Sequence, residues 1–394
     1  MIKLHAKDNY SISPVNYKLP FLAKVTTNND LIRPLRSKYV FILNSSVKEI
    51  PEGFLLILVP FIDAENVPDE LKTHENVLLL SKDLDYLTDD DVLKFYPENN
   101  FIDVLYRRKA NSNSFLVTER CNSFCIMCSQ PPRDIDDSYR VKDVLGALPL
   151  IHSDTVEICI TGGETTLIGD DFIKLIRSAK NHLPRTGLHI LSNGRNFKDI
   201  ELAVKVAKIK HHDLMIGIPL YADYSQLHDF IVQADNAFDD TIRGILNLKR
   251  CGVLVEIRIV IHSKNYERLP RLAEFITRNL LFVDHVALMG LEFMGFAKTN
   301  LNELWIDPYH YQNELKQAVQ ILSRYRMRVS IYNTPLCLIH KSIRQYSACS
   351  ISDWKNDYLG VCQECNAKSQ CGGFFSSNLT KVSDYIQPLP LNSL

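Results

Sequence analysis

Cys121, Cys125 and Cys128 stand in the order Cys-x3-Cys-x2-Cys, directly after the apolar run Ser114-Phe-Leu-Val-Thr118. Three soft thiolates on one short loop suit a metal or an iron-sulfur cluster. Structural zinc and iron-sulfur sites are closed by four protein ligands, whereas a catalytic site keeps one position open. The triplet therefore predicts an incomplete site that a cofactor or substrate finishes. A zinc site completed by a distant His or Cys is the competing reading. A second group, Cys362-x2-Cys365-x5-Cys371 with Cys337, supplies four thiolates, enough to close a cluster or a zinc knuckle, and Cys349 is a spare or an alternative ligand. Cys159 and Cys251 stand alone and read as core residues.

The elements that must position these thiolates follow from hydrophobic pattern. Strand-like runs at 114–118, 155–161, 187–192, 213–220, 253–262 and 284–292 alternate with helix-compatible stretches, which predicts consecutive βα units and a parallel sheet. In the run 253–262, Val255, Ile257, Ile259 and Ile261 share one face while Glu256, Arg258 and His262 share the other. A strand buried between two helical layers would be apolar on both faces. The polar face predicts a curved sheet, a partial barrel whose inner surface lines a cavity. In 155–161, Val156, Ile158 and Ile160 are expected on one side, and Glu157, Cys159 and Thr161 on the other.

Three strand ends then bring polar turns to one edge, where α/β sites form. Strand one leads to the cysteine triplet, strand two to Gly162-Gly163-Glu164, and strand three to Ser192-Asn193-Gly194. A Gly-Gly turn allows close approach of a ligand, and the Glu164 carboxylate suits an ammonium group. Each turn alone is an ordinary loop; their order carries the signal.

Residues 1–110 lack a close cysteine pair and a Gly-rich loop. They carry strand-like runs at 38–43, 54–60 and 77–80, an acidic helix-compatible stretch from Asp83 to about Tyr96, and a polar tail, Arg107 to Ser114, read as a linker. A small α/β or mostly β accessory domain is expected there, then a core at 111–300 and a cysteine-rich extension at 301–394. Asp307-Pro308 reads as a cap and first turn of a helix reaching about residue 328.

The chain has 394 residues and is 46% hydrophobic, enough for a sizeable core, and its 45 basic and 46 acidic residues nearly cancel. Nucleic acid is a poor partner for such a balance. No apolar run reaches the roughly 18 residues that span a bilayer, and no signal peptide is apparent, so the expected location is the cytoplasm with no membrane partner. Ten cysteines in a reducing compartment read as ligands or core residues rather than disulfides.

The cysteine triplet, Gly-Gly-Glu and Ser-Asn-Gly in this order resemble the radical S-adenosylmethionine (SAM) superfamily over about 114–295. The resemblance implies a partial (β/α)6 barrel. It also implies that Cys121, Cys125 and Cys128 hold a catalytic 4Fe-4S cluster whose fourth iron takes the amino and carboxylate groups of S-adenosyl-L-methionine. Gly162, Gly163 and Glu164 would hold the methionine amino group, Ser192 and Asn193 the ribose or carboxylate, and Arg258 the carboxylate, unless Arg258 is an internal partner of Glu256. Glu292-Phe293-Met294-Gly295 occupies the place that contacts adenine. Thr165 and Met127 depart from the usual Pro and aromatic residue. The C-terminal Cys337, Cys362, Cys365 and Cys371 resemble the twitch or SPASM type of extension, implying a second, auxiliary 4Fe-4S cluster. The runs Cys121 to Pro132, Asp353-Trp-Lys-Asn356 and Cys371-Gly-Gly-Phe-Phe375 are similar to His-Xaa-Ser system radical SAM maturases of the HxsC type. That likeness implies a ribosomally made peptide or small protein as substrate, an electron donor such as flavodoxin or ferredoxin, and a companion radical enzyme. Trp354 and Asn356 are expected to pack the extension. A small molecule of cofactor biosynthesis is the alternative substrate, and a non-catalytic metal-stabilised binding module is the alternative class.

Overall fold

The computed structural model describes residues 4–6, 9–12, 15–43, 51–61, 71, 74–349 and 356–390, and it is mixed α/β. Trp354 lies outside the described residues. The chain divides into two compact units: the first comprises 1–115, 139–156 and 178–186, the second 116–138, 157–177 and 187–394.

The first unit holds a sheet of eight strands: β1 (His5–Ala6), β2 (Tyr10–Ser11), β3 (Phe21–Thr26), β4 (Tyr39–Ile42), β5 (Leu56–Val59), β6 (Val77–Leu79), β7 (Val92–Tyr96) and β8 (Phe101–Tyr106). Their order is β1-β8-β7-β3-β4-β5-β6-β2, with β3 to β6 parallel and the rest antiparallel. Leu56 and Leu58 enter one apolar cluster, Ile57 and Val59 another, so β5 is buried on both faces as a central strand must be.

Two expectations for this region are corrected. The acidic stretch from Asp83 is not a helix; its end, Val92-Leu-Lys-Phe-Tyr96, is β7, paired with β3 and β8, with Val92, Leu93 and Phe95 buried. The tail after Tyr106 is not a loose linker either. Asn113 closes a turn by accepting from Arg107 N at 2.8 Å and donating to Arg107 O at 3.1 Å, and Asp91 Oδ1 accepts from Arg108 N at 2.7 Å.

The second unit is built on β10 (Glu157–Thr161), β11 (Gly187–Leu191), β12 (Leu214–Pro219), β13 (Leu254–Val260), β14 (His285–Met289), β15 (Val329–Tyr332) and β16 (Ser347–Ala348), paired in parallel in that order. The strand β9 (Asn113–Leu116), at whose end the division falls, completes the sheet beside β10. All six expected strands are present, and β15 and β16 extend the curled sheet to eight. The alternation in β13 is as expected, with Val255, Ile257 and Ile259 buried. Val156 departs from it, being 84% exposed just before β10 begins. Asp307 caps the turn Pro308–Tyr311 by accepting from Tyr309 N at 2.9 Å, and the helix Gln312–Arg324 follows. No helix among the described residues is long and apolar enough to cross a membrane.

Candidate active site

The cysteine loop, 121–128, leaves β9 through Val117, whose N–H reaches Thr161 O at 2.9 Å, and lies at the C-terminal edge of the sheet. Its shape is fixed largely through the main chain. Phe124 N donates to Val232 O at 2.9 Å and Ile126 N to Ile231 O at 3.0 Å, beyond β12. Beyond β14, Phe296 N donates to Cys128 O at 2.8 Å, and Asn300 Nδ2 donates to Ile126 O at 2.9 Å. Gly295 has φ of +54°, and a Cβ there would stand 2.6 Å from Cys128 O, so the helix start can press on the loop only as glycine.

The Gly-Gly-Glu turn serves the loop more directly than the sequence suggests. Gly163 N donates to Thr118 O and Glu164 N to Arg120 O, both at 2.8 Å. A Cβ on Gly163 would stand 2.3 Å from Arg120 O, and one on Gly162 2.9 Å from Thr118 O. The glycines are there for the approach of the protein's own backbone.

Glu164 is fully buried, and its carboxylate is occupied. Oε1 accepts from Thr166 N at 3.0 Å, Thr166 Oγ1 at 2.5 Å and Ser192 Oγ at 2.8 Å, while Oε2 accepts from Asn193 N at 2.6 Å. Four protein donors surround this carboxylate. Ser192, also buried, accepts from Gly194 N at 3.0 Å and braces its own turn. Asn193 Nδ2 reaches Asn122 Oδ1 at 2.5 Å, so the third strand end touches the cysteine loop.

Arg195 is a positioning residue that sequence reasoning missed. Its Nη1 donates to Asn122 O at 2.6 Å, and its Nη2 lies 3.7 Å from Asp240 Oδ2. The one available signal was a cation immediately after the turn Ser192-Asn193-Gly194.

Met127 is buried with Tyr221, Leu291 and Phe293, against which Cys125 and Ile126 pack. It anchors the loop in an apolar cluster, whereas Met294 is 42% exposed beside Gly295. On the inner face of the sheet, Arg258 Nη1 donates to Glu256 Oε1 at 2.5 Å. Glu256 Oε2 pairs with His285 Nδ1 at 2.6 Å, and His285 Nε2 meets Ser330 Oγ at 2.9 Å. Burial alone would raise the Glu256 carboxyl; the bond to His285 and the charge of Arg258 outweigh it and hold the carboxyl at about 2. The internal Arg258–Glu256 pair is thus the contact observed. His189, opposite on β11, is pushed down to about 4 by burial and is neutral at pH 7.

Burial pushes the thiols of Cys121 and Cys125 up to about 11 and about 12. Among the described residues no three His, Cys, Asp or Glu side chains converge as ligands of a single ion. Thiolates of an iron-sulfur cubane each bind a different iron, so they stand further apart than ligands of one ion.

The second group is gathered elsewhere in the same unit. Cys337, Cys362, Cys365 and Cys371 all line one pocket, walled also by Pro335, Leu336, Tyr358 and Phe374. Leu336 N points to Cys371 Sγ at 3.4 Å, Gly373 N to the same sulfur at 3.5 Å, and Leu389 N to Cys365 Sγ at 3.4 Å. Amide donors aimed at sulfur favour thiolates, and four thiols around one pocket without convergence on a single ion suit a cluster. Cys349 is exposed and does not line the pocket. Cys159 is buried and Cys251 caps a helix end.

Residues 115–276 match the Radical SAM superfamily. Membership of that superfamily implies a 4Fe-4S cluster and SAM. A curated relative, the Fe-coproporphyrin III synthase of Methanosarcina barkeri, is 23% identical over 190 residues, which span 48% of this chain and 45% of the relative. Among solved structures, Streptococcus suis SuiB bound to precursor peptide SuiA is similar at 16% identity with a TM-score of 0.45, over 57% of this chain and 49% of SuiB. A histidine-tagged anSMEcpe with bound AdoMet is similar at 17% identity with a TM-score of 0.46, over 64% of this chain and 67% of that one. The chain thus covers about half the length of the curated relative and of SuiB.

Proposed function

We propose that the protein is a peptide maturase of the His-Xaa-Ser system type, in which Cys121, Cys125 and Cys128 hold a 4Fe-4S cluster with SAM on its open iron. The observation that carries this reading is the cysteine loop itself, three thiols at the C-terminal edge of a parallel sheet. It is clamped from the ends of three strands: by Asn193 and Arg195 after β11, Ile231 and Val232 after β12, and Phe296 and Asn300 after β14. Bound together, cluster and SAM supply a 5′-deoxyadenosyl radical able to take hydrogen from an unactivated C–H bond.

The chain's own residues orient and exclude water. The main chain at Gly162 and Gly163, rather than the Glu164 carboxylate, is what the second turn offers to the methionine amino group. Asn193 lies next to the loop for the ribose or carboxylate. Arg258 is steadied by Glu256 and keeps further guanidinium donors for the methionine carboxylate. Met294, exposed at the start of the helix Gly295–Thr299, would meet the adenine. Cys337, Cys362, Cys365 and Cys371 form a closed ligand set for an auxiliary 4Fe-4S cluster, and their shared pocket supports this.

The test is anaerobic reconstitution followed by reduction with a flavodoxin or ferredoxin donor. The protein should bind about eight irons and eight sulfides and cleave SAM to 5′-deoxyadenosine. Zinc at both sites, or intact clusters without cleavage, would overturn the reading. A second reading, a small-molecule substrate, is favoured by the name of the 23%-identical relative. Deuterium transfer into 5′-deoxyadenosine from a labelled His-Xaa-Ser peptide selects the first; transfer only from a small molecule selects the second.

A further inference from the structure

A cleft opens at the C-terminal ends of β13, β14 and β15, walled by Ile261, Leu291, Phe293, Trp305, Pro335 and Phe374. Leu291 and Phe293 belong to the apolar cluster against which Trp305 and, from the first cysteine loop, Cys125 and Ile126 pack. Pro335 and Phe374 also wall the four-cysteine pocket. The cleft therefore adjoins both cysteine groups.

Its polar wall atoms are largely paired within the protein. Asn378 donates to Leu291 O at 2.7 Å and accepts from Phe293 N at 2.9 Å. Ser383 Oγ accepts from Tyr385 N at 3.1 Å, and Tyr311 is hydrogen-bonded to Thr334. One wall cation differs. Lys381 Nζ lies 4.2 Å from the centre of the Trp305 ring and pairs with no carboxylate among the described residues. What the cleft presents to a ligand is an apolar wall with one ammonium at its side.

We propose that this cleft is a recognition site for the substrate peptide, taking an apolar side chain while Lys381 pairs with a carboxylate on the adjacent residue. The proposal rests on the peptide-maturase reading and adds the substrate's chemistry to it. An uncharged neighbour would leave the ammonium without a partner, and a basic one would repel it.

The test uses the reconstituted protein and two photoreactive dipeptides, N-acetyl-photoleucyl-aspartate amide and its asparagine counterpart, with cross-links mapped by mass spectrometry. The aspartate probe should label segments 290–306 or 374–383, about five-fold more strongly than the asparagine probe, as befits a half-exposed ion pair. Lys381→Gln should erase that preference while asparagine-probe labelling persists. Labelling elsewhere, equal labelling by both probes, or a preference that survives Lys381→Gln overturns the proposal. The labelling needs no turnover, so its failure is separate from a failure of SAM cleavage.

Discussion

The Glu164 carboxylate accepts the main-chain N–H of Asn193 at 2.6 Å, tying the end of β10 to the end of β11 beneath the cysteine loop. Replacing one oxygen by an amide turns an acceptor into a donor where only donors converge. Glu164→Gln should lower stability by about 1–3 kcal/mol, the cost of a buried unsatisfied group. It should also reduce 5′-deoxyadenosine formation at least about ten-fold, because the turn carrying Asn193 shifts. Chemical denaturation and a SAM-cleavage assay check both; unchanged values in both would show that the carboxylate does not hold the turn.

Arg195 carries a loop carbonyl on one branch of its guanidinium and faces Asp240 with the other. A lysine keeps the charge and loses the fork. Arg195→Lys should retain iron content and lose about ten-fold in SAM cleavage. Iron analysis beside the cleavage rate separates a displaced loop from a lost cluster.

The two cysteine groups should differ in their effects. Cys125→Ala should abolish 5′-deoxyadenosine formation, whereas Cys365→Ala should leave SAM cleavage measurable and lose the peptide product. Full activity of the first variant would defeat the cluster assignment.

Asp91 in the first unit is buried, and burial pushes its carboxyl up to about 6 despite the N–H donors of Arg108 and Thr88. Its unfolded value is about 3.9. A folded value above the unfolded one contributes stability that is complete below about pH 4 and lost as pH rises through about 6. Compared with Asp91→Asn, the wild type should gain stability on going from pH 7 to pH 5. Thermal unfolding of both proteins across that range gives the difference.

The periodic parts of the fold were legible. Val255, Ile257 and Ile259 alternate with Glu256 and Arg258 over a short stretch, and local alternation suffices to draw β13. The strand β7 was hidden by Asp89-Asp90-Asp91, whose charges suggest a solvated helix until the partners in β3 and β8 are known. The cysteine loop was legible as spacing. The bonds that tie Glu164 to Ser192 and Asn193 were not, because those partners lie 28 and 29 residues away. Gly163 likewise looked like room for a ligand, and the occupant is the carbonyl of Arg120.

Because the loop is gripped at the amides of Phe124 and Ile126 and the carbonyls of Ile126 and Cys128, its path depends little on what most of its side chains are. Phe124 is 54% exposed. A library randomised at that position should therefore retain a broad range of residues, proline excepted, while Gly163 and Gly295 tolerate almost none. The chemistry of the site is separable from its scaffold, which leaves Phe124 as a handle for attaching a reporter beside the cysteine triplet.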